Sequence, residues 1–200
     1  MAQPDMFSEV ALINVAKSGG AEMNFYAICD AVDFKIGQKD VDFVSTISGG
    51  RLANFKPMEP TEVTLKLYPV EIGTDTANIA SAAGTGVMDL FCANTTDTTQ
   101  PLDFTVDRGR TKYRVTFLLT DDTTITSAVS DINLNQVGAR LIAKNGFLVE
   151  ATPSEFTPES GWVWTCKFKF PPFDKDGTGN ISGQSSDGTS TTTMAATWST

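Results

Sequence analysis

A chain of 200 residues, 40% of them hydrophobic, is long enough for one domain with a core of its own. It contains no histidine, which removes the commonest general base and the commonest transition-metal ligand. A formal net charge of −9 excludes the extended basic face that holds nucleic acid by its phosphates. No run approaches the ~20 apolar residues that cross a bilayer. The opening MAQPDMFSEV has neither the basic nor the apolar region of a secretory signal, so the expectation is a protein made in the cytoplasm and kept out of membranes.

In chain order, residues 11–16 and 24–34 read as strands. Residues 36–50 (IGQKDVDFVSTISGG) mix polar and glycine punctuation with scattered apolar side chains, and at about 15 residues reach the upper limit of an ordinary connection. Residues 51–55 read as a short strand. Over residues 61–70 the period is two: Val63, Leu65 and Leu67 share a face opposite Thr64, Lys66 and Tyr68. Residues 73–84 are small and polar and read as a connection. The segment TGVMDLFCA at 85–93 puts Val87, Leu90 and Phe91 on one helical face, with Thr85 at the cap and Asp89 in the first turns, which predicts one short helix packed on a sheet.

Over residues 112–119 the alternation returns. It predicts Tyr113, Val115, Phe117 and Leu119 inside and Lys112, Arg114 and Thr116 on a solvated face. The neighbouring Arg108 and Arg110, like Lys167 and Lys169 further on, read the same way. Asp121 and Asp122 mark a strand end and turn, and residues 127–135 predict another helical turn or two. Residues 139–151 read as strand around Asn145 and Gly146; that dipeptide either closes a tight hairpin or bulges one long strand, and both remain open. Residues 162–170 carry the stripe Trp162, Trp164, Cys166, Phe168, Phe170, which predicts buried core meeting Tyr113 and Phe117. Residues 182–200 are rich in Ser and Thr and read as a flexible tail after a β domain at 1–181, with Trp198 placed to dock.

Few motifs offer chemistry. Cys29, Cys92 and Cys166 are odd in number and far apart, and read as small apolar residues rather than as a disulfide framework or ligand set. The run DKDGTGNI from Asp174 imitates the start of a calcium loop. It has Thr178 at the fifth position and Ser185 where a bidentate Glu belongs, so a glycine-rich exit turn is the better reading. The pairs Gly19 with Gly20, Gly49 with Gly50, and Gly84 with Gly86 match no phosphate-binding fingerprint. Asp121 and Asp122, adjacent in a strand, point apart and do not make a general acid–base pair. The expectation is therefore no catalytic residues, no metal and no cofactor.

The order of these segments resembles a known family. The run VDFKIGQKDVDFVSTISGGRLANFKPMEPTEVTLKLYPVEIGT is similar to the N-terminal half of viral major tail tube proteins, GVMDLF to the short helix that follows, and RTKYRVTFLLTDD to their central strand. FLVEATPSEFTPESGWVWTCKFKFPPFDKDGTGNI is similar to their C-terminal part. The resemblance covers roughly residues 11–181. It implies a mainly β, sandwich- or barrel-like domain of antiparallel strands with one flanking helix. It further implies hexameric rings stacked into a virion tail tube, assembled in the host cytoplasm around a tape-measure protein, closed by terminator and tip proteins, and passing DNA without binding it specifically. The long loop after the second strand would reach a neighbouring subunit or ring. Here that loop supplies the candidate interface residues Lys39, Asp40, Val41, Asp42, Phe43, Val44, Ile47, Gly49, Gly50 and Arg51.

Two other classes compete. One is a secreted or surface β-sandwich that binds calcium at the DKDGTGN turn and glycan on the Trp stripe. The other is a carboxylate-based enzyme, which would need two acids converging in a pocket.

Overall fold

Strands that alternate apolar and polar residues bury one face each, so a set of them must curl or stack to hide that face. The computed structural model describes residues 10–18, 22–25, 33–39, 41–44, 47, 51–55, 57–67, 90–91, 111–133, 135–158 and 161–188. They form β1 (Val10–Lys17), β2 (Glu22–Phe25), β3 (Asp33–Lys35), β4 (Val41–Val44), β5 (Arg51–Phe55), β6 (Thr61–Leu67), β7 (Tyr113–Thr120), β8 (Val137–Thr157), β9 (Gly161–Phe170) and β10 (Ile181–Asp187). The order β2-β1-β7-β8-β9-β6-β3 makes one antiparallel sheet curled into a half-barrel, with β10 also on β8 and with β4 and β5 paired as a separate ribbon. Among the described residues only 90–91 are helical.

The inner face holds the main core. Val63, Leu65 and Leu67 of β6 lie in register with Phe168, Cys166 and Trp164 of β9, and all six are buried. Phe91 meets Trp164 at a centroid distance of 6.0 Å, and Tyr113 meets Phe168 at 5.6 Å. The Tyr113 hydroxyl donates to the Leu90 carbonyl at 3.0 Å, so this polar group enters the core with its hydrogen bond made. Residues 90–91 are thus packed as the predicted helix requires; the rest of residues 85–93 lies outside the described residues.

The outer face of β1 and β7 is covered as well, and this corrects the sequence reading. Arg114 and Thr116, expected in solvent, are buried, while Leu119, expected in the core stripe, is 48% exposed. Part of this face is covered by the segment after β7, whose Ala128, Ile132 and Ile125 pack with Leu12 and Leu118, while Arg114 Nη2 donates to Asn14 Oδ1 at 3.3 Å across to β1. Leu119 stands one residue from the end of β7, where the stripe has run past the inner core. The predicted helical turns at 127–135 are instead turns and a bridge. Asp122 organises them: its buried carboxylate accepts from Thr124 N and Oγ1 and from Asn133 N and Nδ2, giving the backbone an alternative to helix. Asp121 Oδ1 accepts from Val137 N at 2.8 Å and fastens the start of β8.

The pairing gives one further correction and bears on two more points. The single strand expected at 24–34 is two, β2 on β1 and β3 on β6. Asn145 and Gly146 do not close a hairpin: they lie inside the 21-residue β8, where the register against β7 shifts between Tyr113 and Val115 and Asn145 takes φ 59°. Residues 182–187, assigned by composition to a tail, form most of β10 and pair with β8 from Ile142 to Val137. The expected boundary at 181/182 therefore falls at the start of a strand. The remainder of that tail, with Trp198, lies outside the described residues.

Candidate assembly arm

β3 and β6 pair through Asp33 with Thr64, Phe34 with Val63 and Lys35 with Glu62. The two chains then leave the sheet together. Glu59 N donates to Gly37 O at 2.9 Å, Lys39 N donates to Pro57 O at 3.0 Å, and Gln38 bridges Met58. β4 and β5 continue the pairing, Val41 with Phe55, Asp42 with Asn54, Phe43 with Ala53 and Val44 with Arg51, with an irregularity between Phe43 and Val44. The predicted loop 36–50 is thus one strand of a hairpin ribbon together with its tip. At ~3.3 Å per residue, the path from Lys35 to Val44 runs about 30 Å. Among the described strands, β4 and β5 meet substantially only each other.

Pairing alternates in character along the ribbon. Val41–Phe55 and Phe43–Ala53 are apolar pairs, and Asp42–Asn54 between them is polar. The signal was present in the sequence as V-D-F against A-N-F, three residues a side. The irregularity after Phe43 then breaks the period before it is long enough to read. Ile47, in a turn at the tip, is 98% exposed, and Ile36 and Met58 nearer the root are exposed too. Lys39 is exposed on the way out and Arg51 opens β5, whereas Asp40, Gly49 and Gly50 lie outside the described residues.

The root is polar. Lys35, Ile36, Gly37, Glu59, Glu62 and Lys169 line an open groove there. Lys169 Nζ stands 2.7 Å from Glu62 Oε1, and this hydrogen bond and charge hold the Glu62 carboxyl below its usual range, with Lys35 and Lys167 adding to the effect. Lys167 pairs with Glu150 at 2.7 Å one strand further in.

The competing motifs fall elsewhere. Asp174 Oδ1 accepts the backbone N–H groups of Asp176 and Thr178, each at 2.9 Å, and Gly177 takes φ 81°, which makes the segment a self-contained turn between β9 and β10. Those N–H groups, Thr178 first, hold the Asp174 carboxyl below its ordinary range. Trp164 is buried against Phe91, so it offers no surface to a glycan; the Trp162 side chain lies outside the described residues. Cys166 is wholly buried, and burial pushes its thiol far up, as the apolar reading of this cysteine requires. Cys29 and Cys92 lie outside the described residues.

No family model and no curated protein matches the sequence. Solved structures similar to this chain include chains of an extracellular contractile injection system and of the anti-feeding prophage. The sheath/tube terminator of the PVC extracellular contractile injection system aligns with a TM-score of 0.46 at 13% identity, over 92% of this chain and 99% of that one. A chain of the PVC sheath–tube complex aligns at 0.40 and 15%, over 87% and 88%. A chain of the anti-feeding prophage baseplate aligns at 0.41 and 11%, over 92% and 97%. Likeness at this distance carries no statement about what this chain does.

Proposed function

We propose that this chain is a structural protein of a viral tail tube, which associates with copies of itself and catalyses nothing. The observation that carries this reading is the ribbon. It extends β3 and β6 beyond the sheet with alternating apolar pairs and an exposed Ile47 at its tip, and its strands meet substantially only each other among those described. A ribbon of this kind gains stability when a second molecule covers it. The order of segments resembling major tail tube proteins says which assembly it would serve: rings of six stacked around a lumen, with a tape-measure protein inside during assembly and terminator and tip proteins at the ends. In that setting Val41, Phe43, Val44 and Ile47 bury against the neighbour. Lys39, Asp40, Asp42 and Arg51 fix register at the rim, where charges give specificity more than affinity. Gly49 and Gly50 permit the return turn. An acidic wall also suits passage of DNA, because it releases no counterions and so holds no polyanion.

Negative-stain electron microscopy of purified protein tests the reading. Tubes or six-fold rings are the expected result. A monodisperse monomer at every concentration by light scattering, with no assemblies on the grid, overturns it.

A further inference from the structure

Asn145 is the only asparagine in the sequence followed by glycine. In such a pair the Gly146 nitrogen can attack Cγ of Asn145, because glycine has no β-carbon to obstruct the approach and rotates freely. The N–Cγ bond forms, the Gly146 nitrogen gives up its proton, and the Cγ–Nδ2 bond breaks with loss of ammonia. Solvent water then opens the cyclic imide at one carbonyl or the other. The product is aspartate, or isoaspartate with the main chain rerouted through the side chain.

The fold holds both reacting groups in place. Asn145, at φ 59°, donates from Nδ2 to Asn180 Oδ1 at 2.8 Å, and its own Oδ1 accepts from Lys112 Nζ at 3.4 Å. A cation at one end and a carbonyl oxygen at the other fix which way this amide points. Gly146 is buried and in register with Tyr113, and the Phe170 ring occupies the place of its missing β-carbon. One group is pinned by Asn180 and the other by the β7–β8 ladder. Turning the face of the amide onto the Gly146 nitrogen therefore requires local opening of β8.

The Asn145–Asn180 bond also fastens a neighbouring element. Asn180 is 1% exposed. Its Nδ2 donates to Pro171 O at 2.9 Å, its backbone N donates to Pro172 O at 3.0 Å, and its backbone O accepts from Lys144 N at 2.9 Å. It thus closes the turn between β9 and β10 and sets the start of β10 beside β8. A carboxylate at position 145 has no hydrogen to give Asn180 Oδ1. Turning the Asn180 amide over mends that contact only by facing its oxygen towards Pro171 O, so in either orientation acceptor meets acceptor. Isoaspartate adds a methylene to the main chain beside Gly146, where Phe170 already fills the space.

We propose that Asn145–Gly146 is a deamidation site that the native fold protects, and that its conversion unfastens the turn between β9 and β10. A native subunit keeps the amide. A subunit that opens at β8 and reacts there does not rebuild the Asn180 anchor. The site does not depend on the tail-tube reading.

Peptide mapping by mass spectrometry tests it, on the full chain incubated in mildly alkaline buffer, native beside urea-unfolded. In urea, Asn145 is expected to convert ahead of every other asparagine, read from the mass gain of amide to acid and from isoaspartate-specific enzymatic methylation. In the native protein it should convert at least about tenfold more slowly, as a reaction gated by local opening does. The variant Asn145→Asp supplies one product directly. It should melt several degrees below the parent, with amide exchange faster across residues 171–187 than in the parent and little changed in β6 and β9. Equal rates in native and unfolded chain, or no preference for Asn145 in urea, overturns the protected site. An Asn145→Asp variant that melts and exchanges like the parent overturns the anchor.

Discussion

Gly146 sits where no side chain fits. A β-carbon built on it would run into the ring of Phe170, itself wholly buried in the inner core. The glycine is therefore required by the close approach of β9, and the bulge at Asn145 is the neighbouring accommodation in β8. Gly146→Ala is expected to cost about 1–3 kcal/mol by overpacking, a loss of several degrees in thermal melting at about 2–4 °C per kcal/mol for a chain of this size. Asp122 acts through charge instead. Its carboxylate accepts from Thr124 and Asn133, and the Thr124 hydroxyl is the largest cause of its lowered pKa, ahead of the opposing effect of burial. A folded pKa below the unfolded value of about 3.9 means that the bonded carboxylate stabilises the fold fully above that pH. The contribution is lost as pH falls through the folded value. Denaturant melts of the parent should weaken on acidification below about pH 4. Asp122→Asn should lose about 1–3 kcal/mol near neutrality and show a shallower acid limb, and an equal acid limb in both would sink this account.

At the scale of elements, what could be read from the sequence follows from what each strand uses for stability. β6 and β9 bury an unbroken period of two, Val63, Leu65, Leu67 against Trp164, Cys166, Phe168, and their alternation was plain. Arg114 and Thr116 misled because the outer face of β7 has partners too, Leu118 against Ala128 and Ile132 and Arg114 against Asn14, which period alone does not reveal. β10 gave no signal because it buries almost nothing. ISGQSSD follows a mostly exposed pattern, and its place comes from the ladder to β8 and from side-chain bonds: Arg140 Nη1 to Gln184 Oε1 at 3.1 Å, and Ser186 Oγ to Gln136 O at 2.9 Å. Arg140 also donates to Ser130 O, so one buried guanidinium links β8, β10 and the outer cover. Burial lowers its pKa and the nearby Asp131 charge raises it back. The prediction is a difference between two truncations. Ending the chain after Asn180 removes the β8 partner and the Gln184 acceptor, and should melt several degrees lower than ending it after Gly188. Equal melting would mean that β10 contributes nothing to the fold.

For the whole molecule, the division of labour between sheet and ribbon is the testable point. The half-barrel buries its own two clusters, Leu65 with Phe168 on one face and Leu12 with Leu118 on the other, and β4 and β5 pair with each other apart from its sheet. On the proposed reading, folding of the subunit rests on the half-barrel and association of subunits on the ribbon. Burying one Phe side chain is worth roughly 1.5–3 kcal/mol, and a ring repeats each contact in every subunit, so a single change in the ribbon is amplified in the assembly while the subunit barely registers it. Phe43, opposite Ala53 at the last regular position before the irregularity, is the residue to change. Phe43→Ser should keep the parent's far-UV circular dichroism and come within about 1 kcal/mol of its stability, as substitutions away from a core do. Its tubes or rings should fail to form, or form far more slowly, by light scattering and electron microscopy. A variant that assembles like the parent removes the ribbon from the interface. A subunit that unfolds would instead put Phe43 in a core of its own, and shortening the ribbon to a tight turn between Lys35 and Thr61 then decides: a folded, non-assembling product keeps the ribbon as the assembly arm, and an unfolded one makes it part of the domain.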